Sequence, residues 1–380
     1  MRILHTSDWH LGRQFHGLPL DADHDAFLGQ LEQAITDHQP DLLIIAGDLF
    51  DRASPPQSAL TRLGGFLRRI TDTSDIVIVI IAGNHDSAAQ IGMLSVLATG
   101  NRTLVRGPLD AEERPLIIDQ EDGPVAVSAL PFAYEFAARA CFGDDEIACP
   151  ADVIRAQLDS ARRFVPAGAR WIVVAHAFVD GASTSDSERP LSRVVGGIET
   201  VPAETFEGAH YVALGHLHRP QAVGAPHVRY SGAPLAFGFD EEGQEKSFTL
   251  VEMDATGAVE IKALSILPVR GVRTIRGKLA DLLAAPRPSD DFMRVILTDD
   301  APQIDPMKRL REIYPNAVQL GYERERRPAD ARQEAQGAAE TPRQIVSDFL
   351  GFVRDEPLSD TEALLVETEL AALALEDGDA

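Results

Sequence analysis

The sequence has few basic residues for its length. It carries 35 Lys and Arg against 59 Asp and Glu, which gives a formal net charge of −24. Because phosphate contacts need clustered cations, nonspecific binding of nucleic acid by the whole surface is not expected. Two routes leave nucleic-acid binding open: bound divalent cations can offset an acidic site locally, or a partner subunit can supply the basic surface.

Cysteines and long apolar runs are also scarce. The two cysteines, Cys141 and Cys149, are spaced too widely for a CxxC metal or redox pair. We interpret both as free thiols in a reducing compartment. The longest apolar run, Ile76–Ala82, has the length of one buried strand and is far too short to cross a bilayer. Since the first residues also lack the pattern of a secretory signal, we expect a cytoplasmic protein outside the membrane.

What the sequence does contain is typical of an α/β protein. Short β-branched runs alternate with helical patterns to about residue 270, as in stacked βαβ units. Apolar residues at helical spacing predict a helix over Asp25–His38. The predicted strands are Arg2–Ser7, Leu42–Ala46, Ile76–Ala82, Val125–Leu130, Trp171–Ala175, Tyr211–Leu214, Val228–Ser231, Phe248–Met253 and Val259–Leu264.

The pattern changes after Pro268, which indicates a second, small domain. Strands are predicted over Arg273–Gly277 and Phe292–Thr298, each followed by a short helix, Lys278–Ala285 and Pro306–Tyr314. A polar stretch from Glu323 to Glu340 is either a linker or a solvated helix. Two amphipathic helices are predicted over Thr341–Leu375. They either pack on each other or bind a partner, and their position after the polar stretch favours the partner.

Five short polar signatures stand just after five predicted strands. They are Asp8-Trp9-His10, Gly47-Asp48-Leu49-Phe50-Asp51, Gly83-Asn84-His85-Asp86, Ala175-His176 and Gly215-His216-Leu217-His218. In open α/β sheets, sites form at the carboxyl ends of strands, where loops converge on a rigid base. We therefore expect these side chains to meet at one edge.

The residue types predict a metal centre. Asp, Asn and neutral His suit Mn, Fe, Zn or Mg in mixed coordination. Six or seven donors exceed what one ion takes with an open position, but suit two ions ~3.5–4 Å apart that share a carboxylate. Such a pair activates water and neutralises phosphoryl oxygens, so phosphoester hydrolysis is the predicted reaction.

Each signature alone has a simpler explanation. Asp8 or His10 can be a helix cap or a structural hydrogen-bonding residue, and Gly47-Asp48 can be a turn. His176 can be a buried, satisfied histidine. Five signatures in order, each after an apolar strand, nevertheless favour the metal centre over structural roles.

The ordered blocks D-x-H, G-D-x-x-D, G-N-H-[DE], H and G-H-x-H resemble the calcineurin-like metallophosphoesterase superfamily. Residues 1–12 and 47–56 are more narrowly similar to the nuclease subunits of bacterial SbcCD complexes. The resemblance implies an α/β fold: a metallophosphoesterase β-sandwich flanked by helices, with a small α+β capping domain and C-terminal helices. The implied domains are residues 1–270 (nuclease), 271–335 (capping) and 336–380 (partner-binding).

The resemblance also implies roles for single residues. One metal would be held by Asp8, His10 and His218 and a second by Asn84, His176 and His216, with Asp48 bridging the two. His85 would be catalytic without binding metal, stabilising the transition state or protonating the leaving oxygen. Asp51 stands where some relatives carry His, and our hypothesis is that it orients a histidine ligand or His85. Arg13 and His16 could contact substrate phosphate or form a surface loop.

The implied function is a two-metal DNA exonuclease and endonuclease of DNA repair, recombination and replication. Mn²⁺ is the expected metal, with Mg²⁺, Fe²⁺ or Zn²⁺ as alternatives. The implied partners are DNA and a coiled-coil ATPase subunit of the SbcC type, in a heterotetramer that contains a homodimer of this chain. The sequence has no P-loop motif for hydrolysing ATP itself. The alternatives are a small-substrate phosphodiesterase or protein phosphatase on the same core, and a scaffold that has lost catalysis.

Overall fold

The computed structural model describes residues 1–97, 102–188, 200–284, 287, 289–323, 359 and 361–366. The chain forms two units, residues 1–322 and 323–380. The strands are β1 (Arg2–Thr6), β2 (Gln14–Phe15), β3 (Leu18–Pro19), β4 (Leu42–Ile45), β5 (Val77–Ile81), β6 (Thr103–Arg106), β7 (Leu116–Ile118), β8 (Val125–Leu130), β9 (Arg170–His176), β10 (Tyr211–Gly215), β11 (Gln221–Val223), β12 (Ala225–Tyr230), β13 (Ser247–Met253), β14 (Val259–Ser265), β15 (Val272–Gly277), β16 (Phe292–Leu297) and β17 (Ala317–Tyr322). The helices are α1 (Asp21–His38), α2 (Gln57–Thr73), α3 (Ala88–Met93), α4 (Glu135–Phe142), α5 (Pro150–Arg162), α6 (Leu279–Ala284) and α7 (Pro306–Arg311).

Two six-stranded sheets form the body of the first unit. The first has the order β14-β13-β1-β4-β5-β6, and the second β11-β12-β10-β9-β8-β7. Strands β1, β4, β5 and β6 run parallel in the first sheet, as do β8, β9, β10 and β12 in the second. The carboxyl ends of the parallel strands within each sheet therefore lie at one edge, which is where the signatures begin.

Alternating side chains build the layers of this sandwich. Ile3 belongs to the apolar cluster that both sheets share, with Ile44, Val127 and Val174. The next residue, Leu4, points to the opposite face, into a cluster with Phe27 of α1 and residues of α2. Helix α5 covers the outer face of the second sheet in a third cluster. The predicted β-sandwich flanked by helices is confirmed.

The strands that the sequence did not reveal are short or lie at edges. Strands β6, β7 and β11 have three or four residues, and each is an edge strand of its sheet. Hairpin β2–β3 has two residues a side. Runs this short carry no periodic signal, and their pairing with longer strands decides their conformation.

Strands β15, β16 and β17 form a separate three-stranded parallel sheet. With α6 and α7 it encloses an apolar cluster of its own that includes Leu279, Val295 and Leu310. The predicted strand-helix-strand-helix order is confirmed, and β17 follows it. The boundary at 270/271 stays a prediction, because residues 1–322 form one unit. Phe292 of β16 packs on Phe15, with ring centroids 4.7 Å apart.

Little of the predicted C-terminal helical region falls within the described residues. Residues 361–366 are helical, inside the second predicted helix, whereas the first predicted helix and the 335/336 boundary lie outside the described residues. Among the helices that the structure describes, none is both long and apolar enough to span a membrane.

Candidate metal centre

All five signatures meet at one edge of the sandwich. The first three follow β1, β4 and β5 in the first sheet, and the last two lie at the carboxyl ends of β9 and β10 in the second. Seven predicted site residues are buried there, and Asn84 is half-buried. The buried residues are Asp8, His10, Asp48, His85, His176, His216 and His218.

Unusual backbone conformations hold several of these side chains in place. Positive φ angles occur at four predicted ligands: Asp8 at 56°, His10 at 46°, Asp48 at 50° and His216 at 108°. Such angles are uncommon outside glycine and cost ~1–3 kcal/mol each. The N–H of Asp8 donates to the carbonyl of Gly47 at 3.0 Å, and the N–H of His10 to that of Asp48 at 3.0 Å. These bonds join the first two loops and stabilise the strained turns.

Asp48 lies at the centre of the cluster. Its Oδ2 is 3.5 Å from Nε2 of His176 and 3.8 Å from Nε2 of His10. Nε2 of His85 lies 4.0 Å from the same oxygen. The other oxygen, Oδ1, accepts the backbone N–H of His85 at 2.8 Å. One carboxylate oxygen is therefore engaged by the backbone, while the other faces histidines from both sheets.

Asp8, His10 and His218 form one group of donors around this carboxylate. Nε2 of His10 and Nε2 of His218 are 3.2 Å apart. The Nδ1 atom of His10 is buried and has no hydrogen-bond partner in the described part of the chain. Asp8 accepts hydrogen bonds from the hydroxyl of Ser7 and the N–H of His216, which fix its carboxylate in the cluster.

Asn84, His176 and His216 form the second group. The amide oxygen of Asn84 is 2.9 Å from Nε2 of His176 and 3.2 Å from Nδ1 of His216. The back nitrogen of His176, Nδ1, donates to the carbonyl of Ala46 at 2.9 Å, so Nε2 faces the centre. A Cβ on Gly47, whose φ is +90°, would lie 2.4 Å from Nδ1 of His176. Only glycine allows this approach.

Burial favours the neutral form of three of the predicted histidine ligands. It lowers the pKa of His10 and His216, and neighbouring imidazoles lower both further. Burial also lowers the pKa of His218, which Glu241 partly offsets and Lys246 and Arg13 reinforce. Burial, reinforced by Asp48 and opposed by His176, raises the pKa of Asp8 to about 8. Neutral imidazoles beside two buried carboxylates are the donors that divalent cations take. The residues present therefore fit the predicted metals.

A buried network behind His218 was not anticipated from the sequence. Nδ1 of His218 is 2.8 Å from the hydroxyl of Ser187, which donates to Glu241 at 2.7 Å. Glu241 forms a buried ion pair with Lys246, whose ammonium also donates to the carbonyl of His218 at 3.1 Å. Burial raises the pKa of Glu241, but His218 and Lys246 outweigh it and bring that pKa to about 2. No periodic pattern marks these loop residues.

Asp86 is a second residue whose role the sequence did not reveal. Its carboxylate accepts three backbone N–H groups, from Leu49 at 3.1 Å, Phe50 at 2.9 Å and Gly83 at 2.9 Å. It thereby fastens the loop after β4 to the loop after β5. The available signal was its place in the G-N-H-D block, where Asp is a favoured turn residue.

Asp51 contacts His85 through its backbone. Its carbonyl accepts the Nδ1–H of His85 at 2.8 Å, which leaves Nε2 facing Asp48. The Asp51 carboxylate is 3.5 Å from Nη1 of Arg13 and 4.0 Å from Nδ1 of His10. The predicted orienting role of the Asp51 side chain stays a prediction.

Arg13 and His16 occupy different surroundings. The guanidinium of Arg13 lies 4.5 Å over the ring of Phe237 and donates to the carbonyl of Ser187, so it borders the metal centre. His16 is exposed and packs against Phe15 and Phe239, with ring centroids 5.0 and 5.6 Å away. Arg13 is therefore the one of the two that lies against the cluster.

Similarity to known proteins covers most of the chain. Residues 1–220 match the family model of calcineurin-like phosphoesterases, and residues 268–352 match that of the type 5 capsule protein repressor C-terminal domain. The SbcCD nuclease subunit of Staphylococcus epidermidis is 30% identical over 323 residues, which cover 84% of this chain and 85% of that protein. The predicted hydrolase class, acting on ester bonds, is confirmed. The chain belongs to the calcineurin-like phosphoesterases and, among them, to the family of SbcCD nuclease subunits.

Proposed function

We propose that this chain is the metal-dependent nuclease subunit of an SbcCD-type complex. It hydrolyses DNA phosphodiester bonds as an exonuclease and endonuclease, in DNA repair, recombination and replication. The observation that carries the proposal is the position of Asp48, whose Oδ2 faces His10 and His176 from two donor groups at 3.8 and 3.5 Å. A carboxylate shared in this way suits a two-metal centre for in-line attack on phosphorus.

Each donor group holds one ion in this proposal. Asp8, His10 and His218 would hold one ion, Asn84, His176 and His216 would hold the other, and Asp48 would serve both. When bound, the ions neutralise charge on the phosphoryl oxygens and lower the pKa of water. Oxygen and imidazole donors without a thiolate support Mn²⁺, and they also accommodate Mg²⁺, Fe²⁺ or Zn²⁺.

His85 handles the proton. Its Nδ1–H is engaged by the carbonyl of Asp51, so Nε2 is the nitrogen that can carry a proton toward the cluster. In the protonated form this nitrogen donates to the leaving oxygen, and in either form the ring lies beside the reacting group. His85 is buried against His10, with ring centroids 4.7 Å apart, so its orientation is fixed before substrate arrives.

DNA is favoured over a small substrate by the second part of the chain. Residues 268–352 match a C-terminal family model, and the small parallel sheet encloses its own apolar cluster. A small-substrate phosphodiesterase or phosphatase has no need of this addition. A scaffold without catalysis is disfavoured because a complete donor set has no use in it.

The partners follow from family and charge. A net charge of −24 supports a DNA complex in which an SbcC-type ATPase supplies the basic surface. We assign the nuclease domain to residues 1–270, the capping domain to 271–335 and the ATPase-binding helices to 336–380. The free thiols Cys141 and Cys149 are compatible with a cytoplasmic location.

A homodimer, within a heterotetramer, is supported by an apolar surface beside α2. Met93 and Val96 are 70% and 82% exposed there. A groove of about 700 Å³ separates α2 from this segment, and its lining includes Gly64, Gly65 and Val96. Since a Cβ on Gly64 would meet nothing within 4 Å, a second copy can approach the helix closely.

The decisive experiment is hydrolysis of a labelled DNA duplex by the full chain with Mn²⁺, with and without the ATPase partner. His85→Ala should lower the rate ~10²–10⁴-fold while Mn²⁺ binding is retained. A chelator should abolish cleavage by the wild type. A small phosphodiester, bis(p-nitrophenyl) phosphate, is assayed in parallel.

The outcomes separate the candidates. Metal-dependent DNA cleavage lost in His85→Ala supports the nuclease and its acid together. Intact DNA with cleavage of the small diester would support the small-substrate enzyme, and no cleavage of either would support the scaffold.

A further inference from the structure

Three aromatic side chains form a row that starts at the metal centre and ends in solvent. The Phe132 ring lies 6.5 Å from the ring of His176, at 82°. Tyr134 meets Phe132 edge-on at 5.0 Å. Phe136 stacks on Tyr134, with ring planes 12° apart and centroids at 5.8 Å. We call Phe132, Tyr134 and Phe136 the aromatic row.

The outer two rings of the row are exposed. Tyr134 is 49% exposed and Phe136 is 68% exposed. Large aromatic side chains next to each other in water mark a binding surface more often than a structural one. Their positions follow from α4: Tyr134 immediately precedes the helix and Phe136 lies in its first turn. Ala138 packs the helix into a small apolar cluster.

A cavity beside the row connects it to the metal centre. Its volume is about 410 Å³, and its lining includes Asn84, Pro108, Leu109, Phe132, Tyr134 and Cys141. Asn84 is the donor that contacts His176 and His216. The N–H of Phe132 donates to the carbonyl of Ala82 at 2.9 Å, which holds the row against the loop that carries Asn84.

Resting on the proposed function, we propose that the aromatic row and this cavity bind unpaired nucleobases of the DNA strand whose phosphodiester lies at the metal centre. Every base has a π-face, so stacking on exposed rings needs no particular sequence. Because the Phe132 ring lies 6.5 Å from the ring of His176, a base bound by the row would belong to a nucleotide close to the cleaved bond.

Charge favours stacking as the way this chain holds its substrate. With a net charge of −24, the chain as a whole repels a phosphate backbone. The stacking attraction does not depend on charge, so it can offset that repulsion, and the cavity is mostly apolar. Of its polar residues, Asp86 already accepts three backbone N–H groups. A base that is already unpaired enters at the lowest cost, since extruding a paired base costs a few kcal/mol.

The test compares Tyr134→Ala/Phe136→Ala with the wild type, using the full chain and Mn²⁺. The substrates are an oligonucleotide with unpaired bases beside the cleaved bond and a fully paired duplex, together with bis(p-nitrophenyl) phosphate. We expect KM for the unpaired substrate to rise about 10- to 100-fold, as loss of stacking predicts. Hydrolysis of the small diester should not change. Tyr134→Phe should restore binding, and Ile304→Ala, an exposed apolar residue of the small sheet module, is the matched control.

A second readout measures binding directly. The probe is an oligonucleotide with 2-aminopurine beside the cleaved bond, and Ca²⁺ replaces Mn²⁺ so that binding alone is measured. The wild type should quench the fluorescence of 2-aminopurine at both low and raised salt, and the double variant should not. Unchanged KM and quenching in the double variant would overturn the proposal. So would equal losses on paired and unpaired substrates, or loss of ATPase binding alone, which would make the row a protein interface. If the wild type cleaves no DNA but its quenching depends on the row, the proposed function fails and the binding site stands.

Discussion

His176 and His218 point at the same centre from neighbouring segments, yet they are held in opposite ways. The back nitrogen of His176 donates to a main-chain carbonyl, Ala46, at the end of a central strand. The back nitrogen of His218 faces Ser187, behind which Glu241 and Lys246 form a buried ion pair. We call these the His176 side and the His218 side of the centre. On the first, the ring is held by the sheet backbone. On the second, it is held by the side chains of Ser187, Glu241 and Lys246.

The difference predicts where each side is vulnerable. Side-chain substitutions should damage the His218 side, because its support can be removed without changing the sheet. The His176 side should be damaged only by changes that move the backbone. Substitutions on the two sides can therefore be compared directly.

The largest effect is expected for Glu241→Gln. Breaking a buried ion pair leaves Lys246 uncompensated and lowers the free energy of unfolding by ~3–5 kcal/mol. Loss of the outer partner of a histidine ligand should also weaken binding of one Mn²⁺ by ~10–100-fold. Calorimetric Mn²⁺ titration and denaturant unfolding measure these effects.

Glu245→Gln is the matched control, since it removes the same charge from an exposed neighbour. If both variants bound two Mn²⁺ as the wild type does, the ion pair would have no part in supporting His218. Equal weakening of both sites would show that the two sides are not independent.

Gly47→Ala should damage the His176 side. The new Cβ would lie 2.4 Å from Nδ1 of His176, at a φ of +90°. The free energy of unfolding should fall by ~1–3 kcal/mol, and binding of the second Mn²⁺ should weaken. Gly29→Ala, on the exposed face of α1 where a Cβ meets nothing, should instead stabilise by ~0.5–1 kcal/mol. Wild-type metal binding by Gly47→Ala would contradict this assignment.

His5 extends the comparison to a buried histidine outside the donor groups. Burial lowers its pKa to about 3, partly offset by a backbone hydrogen bond with Leu214 and reinforced by Arg229. Between pH 3 and the ordinary value of 6.5 the unfolded chain binds the extra proton, so stability rises with pH across this window. Acidification from pH 7.5 to 5 should therefore cost ~2 kcal/mol through this residue.

Denaturant unfolding of His5→Gln at pH 7.5 and pH 5 measures that contribution. The variant should lose less stability on acidification than the wild type, whatever its stability at pH 7.5. His38→Gln, at a half-exposed histidine, is the comparison. If His5→Gln lost as much stability between pH 7.5 and pH 5 as the wild type does, His5 would not be the source of the acid sensitivity.

Asp51→Ala should have the smallest effect. The carbonyl that accepts the Nδ1–H of His85 remains, and the loss is limited to the contacts of the carboxylate with Arg13 and His10. A partly exposed pair of this kind contributes ~0.2–1 kcal/mol, so turnover should fall only severalfold with both metals bound. Unchanged turnover would rule out a role for the side chain.

The metal-binding residues at the strand ends could be predicted from the sequence, but the side chains that support His218 could not. The strand ends and their Asp, Asn and His residues were predictable, because β-branched runs and G-D or G-N turns are local signals. Glu241 and Lys246 carry no local signal, and their partners Ser187 and His218 lie 54 and 28 residues away. Such support arises only when loops from different strands meet. The edge strands β6, β7 and β11 were missed for another reason: runs of three or four residues carry no periodic signal.

Asp86 connects the integrity of the centre to hydrogen exchange. The N–H groups of Leu49, Phe50 and Gly83 all donate to the carboxylate of Asp86. If one of them opened alone, this half-buried carboxylate would lose a hydrogen bond. Their protection reports a single opening in which the loops after β4 and β5 separate. Deuterium uptake at these three positions is therefore a measure of how often Asp48 and Asn84 part, in the absence of substrate and without any assay of cleavage.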